Sequence, residues 1–236
     1  MLRTQFFSVI WDRLLIMRIA ALGLVLALAA CAPTTPSRVT GQTGTAANVA
    51  FYPSQSGAIW QYLKDGERGD STPYTLRIEG PQSYNGRILT GMRFFGRGQD
   101  ISYFRQFDER GVQLIAQGSP NFYDLVYETP ILEYPPQKDL VIGKTWSGTS
   151  NATLTIPKQT PQKLRYTYQF RVVAKEKYRV ANTDYDAFLI LRDNRLEDLS
   201  GKSDPVIESQ RIRFVPFIGE VQSREGLVLI NYNFKQ

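Results

Sequence analysis

The sequence predicts an all-β fold: a single antiparallel domain, built as a strongly curved sheet, open barrel or sandwich, following an N-terminal signal peptide and a flexible tether. Three observations predict it. Apolar and polar residues alternate with a period of two through most of residues 51–236, as in strands with one wet face. Turn signals such as Asp108-Glu109-Arg110-Gly111 separate short strands, which favours an antiparallel arrangement. No stretch beyond residue 50 carries the apolar stripe of an amphipathic helix.

Residues 1–30 form the targeting segment. Arg13 and Arg18 precede an unbroken apolar run from Ile19 to Ala30, shorter than the helix of about twenty residues that a bilayer requires. The run closes on Leu28-Ala29-Ala30-Cys31. This resembles the bacterial lipobox at all four positions, which implies cleavage before Cys31 and addition of palmitate-type acyl chains to its thiol. Trp11 and Asp12 are unusual in such a leader, so Met1 and Met17 both stand as starts; either gives the same mature chain. Two or three acyl chains hold a protein stably where one binds reversibly. No Asp follows Cys31, which favours the outer membrane in a bacterium that has two.

Residues 32–50 contain no aromatic side chain and no periodicity, so they cannot bury enough surface to fold and read as a tether. A coil of about nineteen residues has a root-mean-square reach of roughly 24 Å. The remaining domain, residues 51–236, is long enough to bury roughly 70% of its unfolded surface. Removal of Arg3, Arg13, Arg18 and Asp12 with the leader lowers the net charge from +6 to +4. That balance lacks the concentrated basic face of a nucleic-acid binder. Cys31 is the only cysteine; once acylated it leaves no thiol for a disulfide or a nucleophile.

Strands are expected at Ile59 to Lys64, from Tyr74 through Ile78, and at Ile88 to Phe95. Ile101 to Phe107 and Val112 to Ala116 flank Asp108-Glu109-Arg110-Gly111, read as a four-residue hairpin loop. Ala152 to Ile156, Tyr185 to Leu191, Ile207 to Phe214 and Leu227 to Phe234 complete a set of about ten strands. The clearest strand runs from Lys163 to Lys175. Leu164, Tyr166, Tyr168, Phe170, Val172 and Ala174 share one face, and Arg165, Thr167, Gln169 and Arg171 the other.

A segment recurs: Tyr52-Pro53 followed by Gly57-Ala58-Ile59-Trp60 returns as Tyr134-Pro135 followed by Gly143-Lys144-Thr145-Trp146. A Gly lets the backbone turn sharply before a strand, and a Trp three residues later can seal the end of a sheet, its N–H needing a partner. The main reading is a core anchor used twice; ligand stacking is the alternative. These segments, with the closing Phe217-Ile218-Gly219-Glu220-Val221, resemble a family of uncharacterised secreted and lipid-anchored bacterial proteins classed as domains of unknown function. The resemblance runs loosely from Phe51 to Phe234, rests on short apolar motifs and implies no catalytic residue. Where that family would place Pro-Ala-Gly-x-Phe, this chain has Ala181-Asn182-Thr183-Asp184-Tyr185.

The absence of histidine removes the commonest general base and metal ligand. No G-x-S-x-G elbow and no S-x-x-K pair occurs. Ser200-Gly201-Lys202-Ser203 imitates the end of a phosphate loop, but Leu196 stands where the leading Gly belongs. Gly96-Arg97-Gly98 lacks the third glycine of a dinucleotide site. Asp193, Asn194, Glu197, Asp198 and Asp204 read as one acidic loop with the oxygen donors calcium prefers, though without the spacing of a known calcium loop. Lys163, Arg165, Arg171, Lys175, Lys177 and Arg179 form a basic run suited to lipid phosphates or to a solvated strand face that resists edge pairing.

These readings lead to a membrane-anchored envelope lipoprotein with a non-catalytic binding or assembly role, needing no cofactor and no metal. Its partners are the membrane, through acylated Cys31, and an envelope protein or apolar ligand. The alternative is a carrier of an apolar ligand in the concavity of a curved sheet, as lipocalins and lipoprotein-transfer proteins are, with Trp60, Trp146, Tyr166, Tyr168 and Phe170 as lining. A carboxylate-based hydrolase stands third, because two Asp or Glu suffice for glycosidase chemistry.

Overall fold

The computed structural model describes residues 51–180 and 182–234; the expected signal peptide, Leu28, Ala29, Ala30, Cys31 and the expected tether lie outside them. Twelve antiparallel strands close into one barrel, so the curved-sheet expectation holds in its closed form. The strands are β1 (Ile59–Lys64), β2 (Tyr74–Tyr84), β3 (Arg87–Gly96), β4 (Gln99–Asp108), β5 (Gly111–Ser119) and β6 (Tyr123–Tyr134). They continue as β7 (Thr145–Thr155), β8 (Gln162–Val180), β9 (Thr183–Asp198), β10 (Val206–Val215), β11 (Gly219–Gln222) and β12 (Leu227–Tyr232). Each strand pairs with its sequence neighbour, and β1 pairs with β12 to close the ring.

Strand β8 shows why the alternation reads true. Leu164, Tyr166, Tyr168, Phe170 and Val172 are buried while Lys163, Arg165, Gln169 and Arg171 are exposed. The break at Val173 is a bulge against β9, where one extra residue shifts the parity, so Ala174, expected on the inner face, pairs with Leu189 rather than with an inward residue and is half-buried. Two further details of the sequence reading change. Asp108 pairs with Gly111, so the β4–β5 loop has two residues rather than four. Lys163, Arg165 and Arg171 lie where β8 is paired on both sides, whereas Lys175, Lys177 and Arg179 lie beyond its pairing with β7, where only β9 is a partner. Lys163, Lys175, Lys177 and Arg179 approach Glu128, Asp186, Asp186 and Asp184.

The recurrence of Gly-x-x-Trp belongs to a wider likeness between β1–β6 and β7–β12. Gly57 N–H donates to Ile78 O and Ile78 N–H to Ala58 O, at 2.8 and 2.9 Å; Gly143, Val172 and Lys144 repeat both bonds at 2.8 and 3.0 Å. Both glycines have positive φ, +84° and +87°. A bulge follows directly, after Ile78 in β2 and after Val172 in β8. A second matched shift lies between Phe104 and Arg105, which pair with Ala116 and Leu114, and between Arg213 and Phe214, which pair with Gln222 and Glu220. Bulges re-aim the chain and raise local twist, so each half turns the barrel corner in the same way.

Candidate functional site

A twelve-strand ring is wider than the eight-strand barrel that side chains just fill. Large side chains occupy this one. Tyr52 enters one mouth and packs on Trp60, Phe107, Tyr134 and Phe214, with ring centroids 5.6 to 6.5 Å apart. Phe51 lies edge-on to Phe214. Trp60 is 1% exposed, and its indole N–H donates to Ile218 O at 2.5 Å.

Below this aromatic layer the interior is charged. Arg105 donates to Glu133 at 2.6 Å, with side chains 2% and 5% exposed. Arg224, carried inward by the β11–β12 turn, stands 3.4 Å from the other Glu133 oxygen and over the Tyr103 ring. Burial alone would push the Glu133 carboxyl up; Arg105 and Arg224 outweigh it and hold the group below the usual carboxylate range. Burial also works against the charge of Arg105, and Glu133 with Tyr52 more than offsets it. A second network joins Arg192 to Asn194, Tyr166 and Gln210.

The two networks break the likeness between the halves. By the matched register, Arg105 occupies the place of Phe214, and Phe94 that of Arg192. Each half thus sets an arginine where the other sets a phenylalanine. Among the described residues no buried side-chain nitrogen or oxygen lacks a hydrogen-bond partner, so the charges are satisfied by the chain itself.

Trp146, Tyr166, Tyr168 and Phe170 lie on the same inner wall. Trp146 stacks on Phe170 at 5.2 Å and donates to Leu132 O at 3.0 Å. The Tyr168 hydroxyl accepts from Leu132 N–H, and its ring lies over Gly148, where a Cβ would come within 2.7 Å of it. The Tyr166 hydroxyl donates to Asn194 and accepts from Arg192, both at 2.7 Å. All four are buried, and the partners just named are residues of the chain itself.

Of the residues expected to crowd one acidic loop, Asp193, Asn194, Glu197 and Asp198 lie along β9, where neighbours point to opposite sides, and only Asp204 lies in the exposed loop after it. Asn194 points inward, Asp193 accepts from Ser209, Glu197 pairs with Arg195, and Asp198 caps the Ser200 turn. Among the described residues no group of His, Cys, Asp and Glu converges in a way that could hold a metal ion. Ser200 to Ser203 form the exposed turn after β9.

One concave site opens on the outer wall. Gly118, with no side chain, leaves a pocket of about 350 Å³ floored by Phe104 and Ser102 and bounded by Phe122, Tyr123, Asp124 and Thr155. Ser119-Pro120-Asn121-Phe122 makes the turn beside it: Phe122 N–H bonds Ser119 O at 3.0 Å, and Asn121 has φ +65°. Pro followed by Asn at positive φ is the type II pattern. It leaves Phe122 38% exposed. The tip of the β2–β3 hairpin lies over the same wall. Tyr84 stacks on Phe104 at 4.1 Å and donates to both Asp124 oxygens, at 2.9 and 2.8 Å. The pocket is therefore apolar with one carboxylate at its margin, and that carboxylate keeps lone pairs for a further donor. Nothing in the sequence reading singled out these residues. The usable signals were Gly118 within an apolar strand and the Pro120-Asn121 turn.

No protein-family model, curated protein or solved structure matches this chain.

Proposed function

We propose that this chain is an envelope lipoprotein, anchored through acylated Cys31, that binds an apolar group in the pocket beside Gly118 and has no catalytic role. The observation that carries the reading is the position of that pocket. Tyr52 packs against the ends of β4, β6 and β10, whereas the pocket lies between the end of β5 and the start of β6. The binding site therefore faces away from the end at which the chain enters the barrel. A volume of about 350 Å³ lies within the range of ligand sites, roughly 300–1,000 Å³. The fitting occupant is an apolar side chain of another envelope protein, or a small apolar ligand, bearing a donor for Asp124.

The outer wall supports a water-exposed barrel over a membrane-spanning one. Spanning barrels present a continuous apolar band; here Arg77, Arg165, Arg171, Asp193, Arg195 and Arg211 project outward. The satisfied interior argues against the carrier reading in the region of Trp60, Trp146, Tyr166, Tyr168 and Phe170. Lipid attachment at the envelope is tested directly. Cys31→Ala should abolish incorporation of labelled fatty acid; acyl-labelled protein of mature size from this variant would refute the anchor.

The pocket is tested by nuclear magnetic resonance with a set of small aryl- and alkyl-ammonium fragments. Resonances of Phe104, Phe122 and Tyr123 should shift on binding. Thr155→Trp, which fills the pocket from its exposed side, should weaken binding by about tenfold or more, the cost of displacing a fragment from its only apolar contact. Binding that survives this change, or shifts elsewhere on the barrel, would remove the pocket from the proposal.

A further inference from the structure

The mouth that Tyr52 enters carries exposed apolar side chains that no packing requirement explains. Val141 is 53% exposed and Ile142 62%, both in the loop between β6 and β7. Phe217, between β10 and β11, is 43% exposed and held at φ +69°, a conformation unusual for a bulky side chain and indicative of a constraint worth its strain. The two loops stand over one mouth, because Tyr134 and Phe214 stack across it with centroids 4.5 Å apart. The constraint on Phe217 is the entering chain: its N–H donates to Phe51 O at 2.7 Å.

Charge accompanies these residues. Lys138 and Lys144 flank Val141 and Ile142, and Arg171 pairs with Thr145 at the start of β7. Lys138 and Arg171 are exposed, and Lys144 has one distant acidic neighbour, Asp139, at 3.9 Å.

We propose that this rim is a lipid-docking surface, with Val141, Ile142 and Phe217 entering the headgroup region and Lys138, Lys144 and Arg171 meeting lipid phosphates. The inference rests on anchoring through Cys31. Only residues 32–50 separate that cysteine from Phe51, and the rim is where Phe51 lies. Even fully extended, nineteen residues span at most roughly 65 Å, which keeps the rim at high local concentration beside the bilayer, so contacts too weak to bind a free protein suffice to orient an anchored one. Lipid is the occupant that the entry point and the positive charge both select, and docking there points the pocket beside Gly118 away from the membrane.

The test uses one added tryptophan per variant, its quenching read as the gain over the parent protein, which already carries Trp60 and Trp146. Ile142→Trp, Phe217→Trp and, at the far end, Phe122→Trp are placed in two preparations: acylated protein in proteoliposomes, and full chain carrying Cys31→Ala added to vesicles. Both membranes contain phosphatidylglycerol, phosphatidylethanolamine and brominated phospholipid. In either preparation the quenching gained at positions 142 and 217 should exceed that at 122 by roughly twofold or more, as for side chains at the acyl boundary. Adding Lys138→Glu and Lys144→Glu should reduce that difference, and replacing phosphatidylglycerol with phosphatidylcholine should do the same. Equal quenching at the three positions in both preparations overturns the proposal. If the wild-type protein fails to float with proteoliposomes, the anchoring reading falls, and the Cys31→Ala arm still decides whether the rim contacts lipid.

Discussion

Glu133→Gln is expected to lower the unfolding free energy by about 3–5 kcal/mol, the range for removing one partner of a buried ion pair. The substitution keeps shape and removes charge. Arg105 then stays buried without its carboxylate, and Arg224 keeps only Glu225, 3.5 Å away at the margin. The loss should be read from urea denaturation midpoints of the unacylated chain. Because Glu133 ionises more readily folded than unfolded, its contribution is fully present above the unfolded value of about 4.3 and is lost as pH falls through the folded value. That part of the acid sensitivity should be missing from Glu133→Gln. Pairing Glu133→Leu with Arg105→Met should recover part of the stability, since two apolar groups no longer require each other. A Glu133→Gln variant as stable as wild type would mean that water reaches the network.

Trp60→Ala should cost a similar amount, about 3–5 kcal/mol, against a total stability of roughly 5–15 kcal/mol for a domain. The indole fills the mouth beside Tyr52 and also contacts Phe234 at 4.9 Å. Its removal leaves Ile218 O without a donor. Trp146→Ala should follow with a smaller loss, because Trp146 is 8% exposed. Arg171→Ala, on the outer face, should change stability by less than about 0.5 kcal/mol. Trp60→Ala and Trp146→Ala midpoints at the wild-type value would show that neither indole supports the barrel.

The strands were legible wherever one face is wet. Alternation located β1 at its full extent and assigned the faces of β8 correctly from Lys163 through Val172, because a period of two has one physical source there; the bulge after Val172 moved Ala174 out of the inner row. It missed β6 and β11. In β6 the pairing slips between Val126 and Ile131, across a stretch containing Pro130, so no single parity runs its length. Strand β11 has four residues, too few to display a period. The interior arginines follow the same alternation. Ile101, Tyr103, Arg105 and Phe107 share a parity, as do Ile190, Arg192 and Asn194, so the inward arginines stood on apolar faces. What no spacing could show is that Glu133 and Arg224, distant in sequence, would meet Arg105 inside a closed ring. The pocket was illegible for the same reason: Tyr84 reaches Asp124 through the folding of one hairpin over another strand pair.

Closure of the ring by the first and last strands has a consequence for how the protein matures. Trp60 pairs with Tyr232, so the seam joins residues from nearly opposite ends of the domain. Such non-local pairing delays folding until the intervening chain has been ordered. A chain halted before residue 227 would present β1 and β11 with unpaired backbone, a template for joining other copies. The whole polypeptide therefore has to be present before the barrel can protect its edges.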